Sequence, residues 1–170
     1  MNNKYFTMLS LDEFCNYFNE NLMMFFYELE ESIENKGFEP TKYYIEKEDF
    51  KLNNIDRSGA KIRSYTINRY KIHLNIYCNK NDMVFSASIK INNQVKEISN
   101  DIVKKFYLPF LSTITGNDLG TTISKWQDIL NDKNFKIVDD EFSYTLSEKD
   151  NCLLSITNII LENFIQREEE

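Results

Sequence analysis

Apolar side chains recur at Leu11, Cys15, Phe18, Leu22, Phe25, Leu29 and Ile33, a spacing alternating four and three that places them on one stripe of a helix. Ser10 stands three residues before Glu13, an arrangement in which each side chain takes a backbone N–H of the other, so the helix is predicted to open there. Gly37 is placed where a left-handed residue would close the last turn, after a helix running to about Asn35. Leu22, Met23, Met24, Phe26 and Tyr27 spread apolar character around more of the circumference than one sheet face covers. Other helices, or a second copy of the chain as a homodimer, are expected to bury the excess.

From Phe38 to Asn92 the period shortens to two. Tyr70, Ile72, Leu74, Ile76 and Cys78 alternate with polar residues, as do Met83, Phe85, Ala87, Ile89 and Ile91, and Asn79 to Asp82 reads as the turn between two half-buried strands. An earlier strand starts near Lys61 and joins through Asn68 and Arg69; Tyr43 to Glu48 makes a weaker fourth, and an antiparallel meander is the simplest topology. Helical spacing returns at Val95, Ile98, Ile102 and Phe106 and is expected to stop at Pro109. A loop through Gly116 leads to a helix carrying Ile123, Trp126 and Leu130. Phe135 and Ile137, then Phe142, Tyr144 and Leu146, alternate around Asp139 and Asp140 as a short hairpin. Ser147 and Asp150 give a second helix-start signal, with Leu153, Ile156, Ile160 and Phe164 as the stripe of a last helix fraying into Glu168, Glu169 and Glu170.

The predicted class is α+β: an antiparallel sheet of about four strands plus a short hairpin, with three to four helices packed mainly on one face. No repeat, low-complexity tract or linker divides the chain, so residues 1–170 are read as one globular domain. The element order is similar to that of the small acidic α/β chaperones of type III secretion and their regulator-like relatives. Order across the chain carries that likeness, without motif residues, and the fourth strand and the extra helix depart from it. It implies an escort protein as one reading of function.

Composition narrows the setting. The 170 residues favour Lys, Asn, Ile, Tyr and Phe, with Ala60 and Ala87 the only alanines, as codons rich in A and T produce; an AT-rich bacterium or its phage is the expected source. Cys15, Cys78 and Cys152 are an odd number without a C-x-x-C pair, each inside an apolar pattern, so inert thiols in a reducing cytoplasm are expected. Met1 to Ser10 holds no apolar run of signal length, and neither a secretion signal nor a membrane anchor is expected.

Charge is arranged in blocks. Residues 1–56 carry a net −7, residues 57–105 a net +7 and residues 106–170 a net −7, within an overall −7. Period two puts Lys61, Arg63, Tyr65, Ile67 and Arg69 on one face of their strand, and Lys71, His73, Asn75 and Tyr77 on the face opposite the apolar one of the next. Were register to align them, they would make one basic, aromatic surface able to take phosphates by charge and bases by stacking. The competing reading is a solvated sheet face that offsets acidic neighbours, and overall acidity opposes approach to a polyanion.

Candidate chemistry is sparse. His73 is the only histidine, which leaves no typical zinc set and makes a surface strand residue the simpler reading. Gly116 to Thr122 has loop glycines before a helix but no P-loop lysine, and Asp139, Asp140 and Glu141 lack the spacing of a calcium loop. No cofactor, metal or catalytic residue is assigned. The expectation is therefore a non-enzymatic cytosolic protein that binds another protein, of inhibitor, immunity or anti-defence type, with an escort chaperone or an anionic-ligand module as alternatives. Aromatic residues at 14% and acidic flanks suit a basic partner, met by Asp139, Asp140 and Glu141 on the hairpin tip or by Glu28 and Glu31 on the late first helix. The hairpin is favoured because turn tips project from a scaffold, and charge reversal there is expected to slow association more than it lowers Tm.

Overall fold

The computed structural model describes residues 9–29, 37–55, 57, 59–67, 69–91, 98–149 and 151–160. Strand β1 (Leu9–Ser10) runs directly into helix α1 (Leu11–Leu29). The Ser10 hydroxyl accepts the Glu13 N–H at 3.1 Å and the Glu13 carboxylate accepts the Ser10 N–H at 3.4 Å, so the capping box opens the helix where the spacing placed it. Strands β2 (Lys51–Ile55), β3 (Lys61–Ile67), β4 (Ile72–Cys78) and β5 (Met83–Ile91) follow as an antiparallel meander. Next come α2 (Asn100–Ile102), a π-helical turn (Val103–Tyr107), α3 (Leu108–Thr115) and α4 (Leu119–Asn131). The described chain closes with β6 (Lys136–Val138), β7 (Phe142–Ser147) and β8 (Leu153–Asn158).

All of these strands belong to one eight-stranded antiparallel sheet in the order β2-β3-β4-β5-β8-β7-β6, with β1 paired to the start of β5. The class is α+β as predicted, but the sheet holds eight strands where about four plus a short hairpin were expected. Strands β1 and β8 are additional, and β2 takes the place of the strand expected over residues 43–48. The larger departure is β8. Leu153, Ile156 and Ile160 are spaced like a helix stripe, yet Cys152, Leu154 and Ile156 are buried while Leu153, Ser155 and Thr157 are half-buried, which is period two. Pairing with β5 satisfies backbone groups along an edge that β1 leaves open beyond Val84, and the β-branched pair Ile156-Thr157 suits a pleated surface. Ser147 accordingly ends a strand, and Asn151 and Cys152, both left-handed at φ 60° and 54°, make the turn into β8. Phe164 lies outside the described residues.

Two other segments differ from their sequence patterns. Residues 43–48 pair with no strand; short 3-10 turns at Pro40–Tyr43 and Lys47–Asp49 flank Ile45, whose N–H and C=O are both bound by the Asn19 side chain of α1 at 2.8 and 2.9 Å. A helix side chain takes the place of a neighbouring strand. Pro109 does not stop its helix, because the wide turn before it bonds Leu108 N–H to Val103 C=O five residues back, which makes room for the ring where an α-turn would clash. Gly116, left-handed at φ 72°, closes α3 by donating its N–H to Ser112 C=O.

One sheet face carries the core. Ile72, Leu74, Ile76 and Cys78 of β4, Ala87 and Ile89 of β5, and Leu154 and Ile156 of β8 are buried beneath Phe14, Phe18, Phe25, Phe106, Phe110 and Trp126 from the helical layer. The Tyr107 hydroxyl donates to Cys152 C=O at 2.7 Å and ties the π turn to the β7–β8 connection. Burial pushes the Cys15 thiol up to about 12 and the Cys78 thiol up to about 11, so both stay protonated and unreactive.

The opposite face is polar. Lys51, Ser64, Asn75, Ser88, Ser155, Thr145 and Lys136 pair in turn across the strands from β2 to β6, a row of hydroxyls and one amide with a lysine at each end. His73 stands beside this row, its Nδ1 2.8 Å from the Thr66 hydroxyl and its Nε2 3.2 Å from Asn75 Oδ1. The neutral ring accepts from Thr66 and donates to Asn75. Burial, then the nearby Lys90, lower the His73 pKa from its ordinary 6.5. The unfolded chain therefore binds this proton more readily than the folded one, and stability present above the unfolded value is lost as pH falls through the folded value. Tm is expected to decline as pH falls below the ordinary 6.5, and thermal melts of His73→Gln in that acid range should lose this part of the slope. An unchanged slope in the variant would assign it to other groups.

Candidate functional site

The register of β3 against β4 decides the predicted basic face. Every odd-numbered residue of β3 pairs with an even-numbered residue of β4, from Lys61 with Cys78 to Ile67 with Ile72, and every even-numbered one with an odd-numbered residue. Lys61, Arg63 and Tyr65 consequently share the face of Leu74 and Ile76, while His73, Asn75 and Tyr77 lie on the other side of the sheet. The single basic, aromatic surface is not formed. Lys71 is an exposed turn residue with φ 53°, and Arg69 donates to the Tyr43 hydroxyl at 3.1 Å and lies over the Tyr70 ring. Tyr65 packs against Phe50 and Tyr77 against Phe85.

Lys61 and Arg63 are neutralised locally. Both reach the same Oδ1 of Asp82, in the β4–β5 turn, at 3.3 and 3.1 Å. Burial raises the Asp82 pKa, but the hydrogen bonds from Arg63 and Lys61 outweigh it and hold the carboxyl below its ordinary value.

The acidic candidates separate in the same way. Asp139 Oδ1 accepts the N–H groups of Glu141 and Phe142 at 2.9 and 2.7 Å, and its Oδ2 accepts from the Tyr144 hydroxyl at 2.7 Å and Lys125 Nζ at 3.2 Å. Burial opposes ionisation, yet those four donors together hold this carboxyl below its ordinary value. Asp139 organises the hairpin from within and is not a projecting contact. Asp140 is exposed and Glu141 half-buried; Glu28 is exposed on α1, and Glu31 lies outside the described residues.

Glu141 reaches a feature with no signature of its own in the sequence. A cleft of about 420 Å³ opens between α1, the end of α3 and the sheet. Leu9 of β1, Val84 and Phe85 of β5 and Phe142 of β7 supply apolar walls; Glu13, Tyr17, Asn21 and Met24 line it from α1, and Glu141 and Asn158 from the sheet side. The wall contributed by α3 is held in place by three hydrogen bonds: Asn21 Nδ2 to the Thr113 hydroxyl at 3.0 Å, that hydroxyl to Pro109 C=O at 2.7 Å, and the Ser112 hydroxyl to Asn117 C=O at 2.6 Å. Among the described residues lining the cleft there are two carboxylates and no Lys, Arg or His.

The cleft residues of α1 continue along the helix. Glu13, Tyr17, Glu20, Met24, Tyr27 and Glu28 recur at helical spacing, and all are exposed, Tyr17 by 46%, Met24 by 40% and Tyr27 by 63%. Leu22 and Phe25 are buried and Met23 and Phe26 half-buried, so other elements of the chain cover only part of the wide apolar band. The signal for this stripe was present in the sequence as glutamates interleaved with Tyr and Met at four-and-three spacing, opposite the core stripe.

Comparison with protein-family models, with curated proteins and with solved structures finds no match for this chain. The element order that resembled the secretion chaperones rested in part on a last helix where the structure has strand β8. Among the described residues no helix is long and apolar enough to cross a membrane.

Proposed function

We propose that this chain is a non-catalytic protein-binding protein of inhibitor type, of the kind immunity and anti-defence proteins represent, and that its docking surface is the exposed stripe of α1 with the cleft beside it. The observation that carries this reading is the interleaving of Glu13, Glu20 and Glu28 with the uncovered Tyr17, Met24 and Tyr27. Aromatic and methionine side chains supply contact area at low entropic cost, and the carboxylates steer a basic partner into register. The division of the basic residues between two sheet faces, with Lys61 and Arg63 held by Asp82, favours a protein partner over a polyanion. Met24 and Tyr27 are then partner contacts, not a dimer seam.

Affinity capture with the full chain as bait, followed by binding kinetics on the captured protein, tests this. Tyr17→Ala and Met24→Ala are expected to speed dissociation, with a cost of about 1–2 kcal/mol at a well-packed anchor. Glu20→Lys with Glu28→Lys is expected to slow association at low ionic strength and to leave Tm nearly unchanged. Capture that is equally efficient with all these variants would remove the stripe from the interface, and a dimer by light scattering of the free protein would assign it to a second copy.

A further inference from the structure

We infer that the polar face of the sheet, on the side away from the helices, is a second docking surface and that its occupant is an acidic, extended segment of a protein. It is separate from the α1 stripe, so its failure would leave that reading standing. Although the chain has 27 acids against 20 bases, no described strand holds an Asp or a Glu. The strands carry Lys51, Lys61, Arg63, Lys90 and Lys136 instead. Lys61 and Arg63 lie on the helix side and are held by Asp82. Lys51, Lys90 and Lys136 share the polar face, and none of the three has an ion pair among the described residues. Lysines on the edge strands β2 and β6 also keep those edges from pairing, but Lys90 belongs to β5 in the middle of the sheet, where that duty does not arise.

Hydroxyls fill the ground between the lysines. Ser88, Ser155 and Thr145 are cross-strand neighbours on β5, β8 and β7, about 4.8 Å apart at strand spacing. Their hydroxyls have no hydrogen-bond partner among the described residues, even though Ser88 is only 5% exposed. Ser86 with Thr157, and His73 with Thr66 and Asn75, by contrast bond one another. A hydroxyl both donates and accepts, so this row can serve the N–H and C=O groups of an extended peptide while the ammonium groups take its carboxylates. Single-stranded DNA presents only acceptors along its backbone and relies on open aromatic rings for its bases. No arginine stands among the described strand residues of this face, and its Tyr77 ring is packed against Phe85.

The test is a titration of the full chain with an acetylated, amidated peptide of alternating Glu and Ala at physiological ionic strength, where the acidic helices are screened beyond about 8 Å. His73 is the only histidine, so its ring signals report on this face. Saturable shifts of that ring are expected, with an affinity about fivefold lower when Gln replaces Glu in the peptide. Lys90→Gln combined with Lys136→Gln should weaken the Glu peptide by a similar factor, whereas Lys61→Gln, on the other face, should bind as the parent does. Ser88→Ala with Ser155→Ala is expected to weaken binding and leave Tm nearly unchanged, since no intramolecular hydrogen bond is lost. Equal affinity for the two peptides, no shift at His73, or undiminished binding by the double lysine variant overturns the assignment. Tighter binding of an oligothymidylate of equal charge also overturns it, and would assign the face to nucleic acid.

Discussion

Asp101→Ala is expected to lower stability by about 3–5 kcal/mol, whereas Lys105→Met is expected to be near neutral, although the two substitutions break the same ion pair. Lys105 lies inside the protein with its side chain 5% exposed, its Nζ 2.7 Å from the Asp101 carboxylate, 4.8 Å from the centre of the Phe38 ring and 5.5 Å from that of Tyr70. Removing the carboxylate strands an ammonium among aromatic rings, which recover only a fraction of its lost hydration. Removing the ammonium leaves a carboxylate that is 27% exposed and can be hydrated, while the methionine fills the space against the rings. Paired thermal melts decide it, with a fall of roughly 10 °C or more expected for the aspartate variant. Equal losses in the two variants would mean that the pair acts through packing alone.

Asp139→Ala is expected to cost about 3 kcal/mol, the second largest effect, since it removes the acceptor for two backbone N–H groups, the hydroxyl of buried Tyr144 and the Lys125 ammonium. The same carboxylate makes stability pH dependent. Because its folded pKa lies below the ordinary 3.8, its contribution is present above that value and lost as pH falls through the folded pKa. Denaturant unfolding at neutral and acid pH should show the gap between parent and variant narrowing toward low pH; a gap that stays constant would separate the stability loss from ionisation. This also revises the expectation for charge reversal on the hairpin. A triple reversal that includes Asp139 lowers Tm on its own account, so Asp140 and Glu141 alone report on steering.

The two effects share an origin that bears on the function. Acidic side chains here divide into those consumed by the fold and those left on its surface, and only the second group is available to a partner. Asp82, Asp101 and Asp139 belong to the first, as does Glu13 through its capping bond to Ser10; Glu20 and Glu28 lie exposed along α1. A charge count along the chain treats these alike, which is why the hairpin, with a turn tip expected to project, looked a better candidate than the helix.

Local patterns sufficed for much of the architecture. Ser10 and Glu13 are three residues apart and hydrogen-bond within a single turn, so the start of α1 follows from sequence alone. The alternation of β4 and β5 and the turn through Asp139 are likewise properties of a few neighbouring residues, as is the burial of all three cysteines. What needed the tertiary structure involves partners distant in the chain. Leu153 to Asn158 becomes a strand because β5, more than sixty residues earlier, presents an open edge to it. Asn19 holds Ile45 in place of a strand, and the cleft is assembled from β1, α1, β5, α3, β7 and β8. The basic rows of β3 and β4 illustrate the limit most sharply. Period two assigns each residue to a side of its own strand, but which side faces the helices depends on how the hairpin turn sets one strand against the next, and a shift of one residue exchanges the two faces.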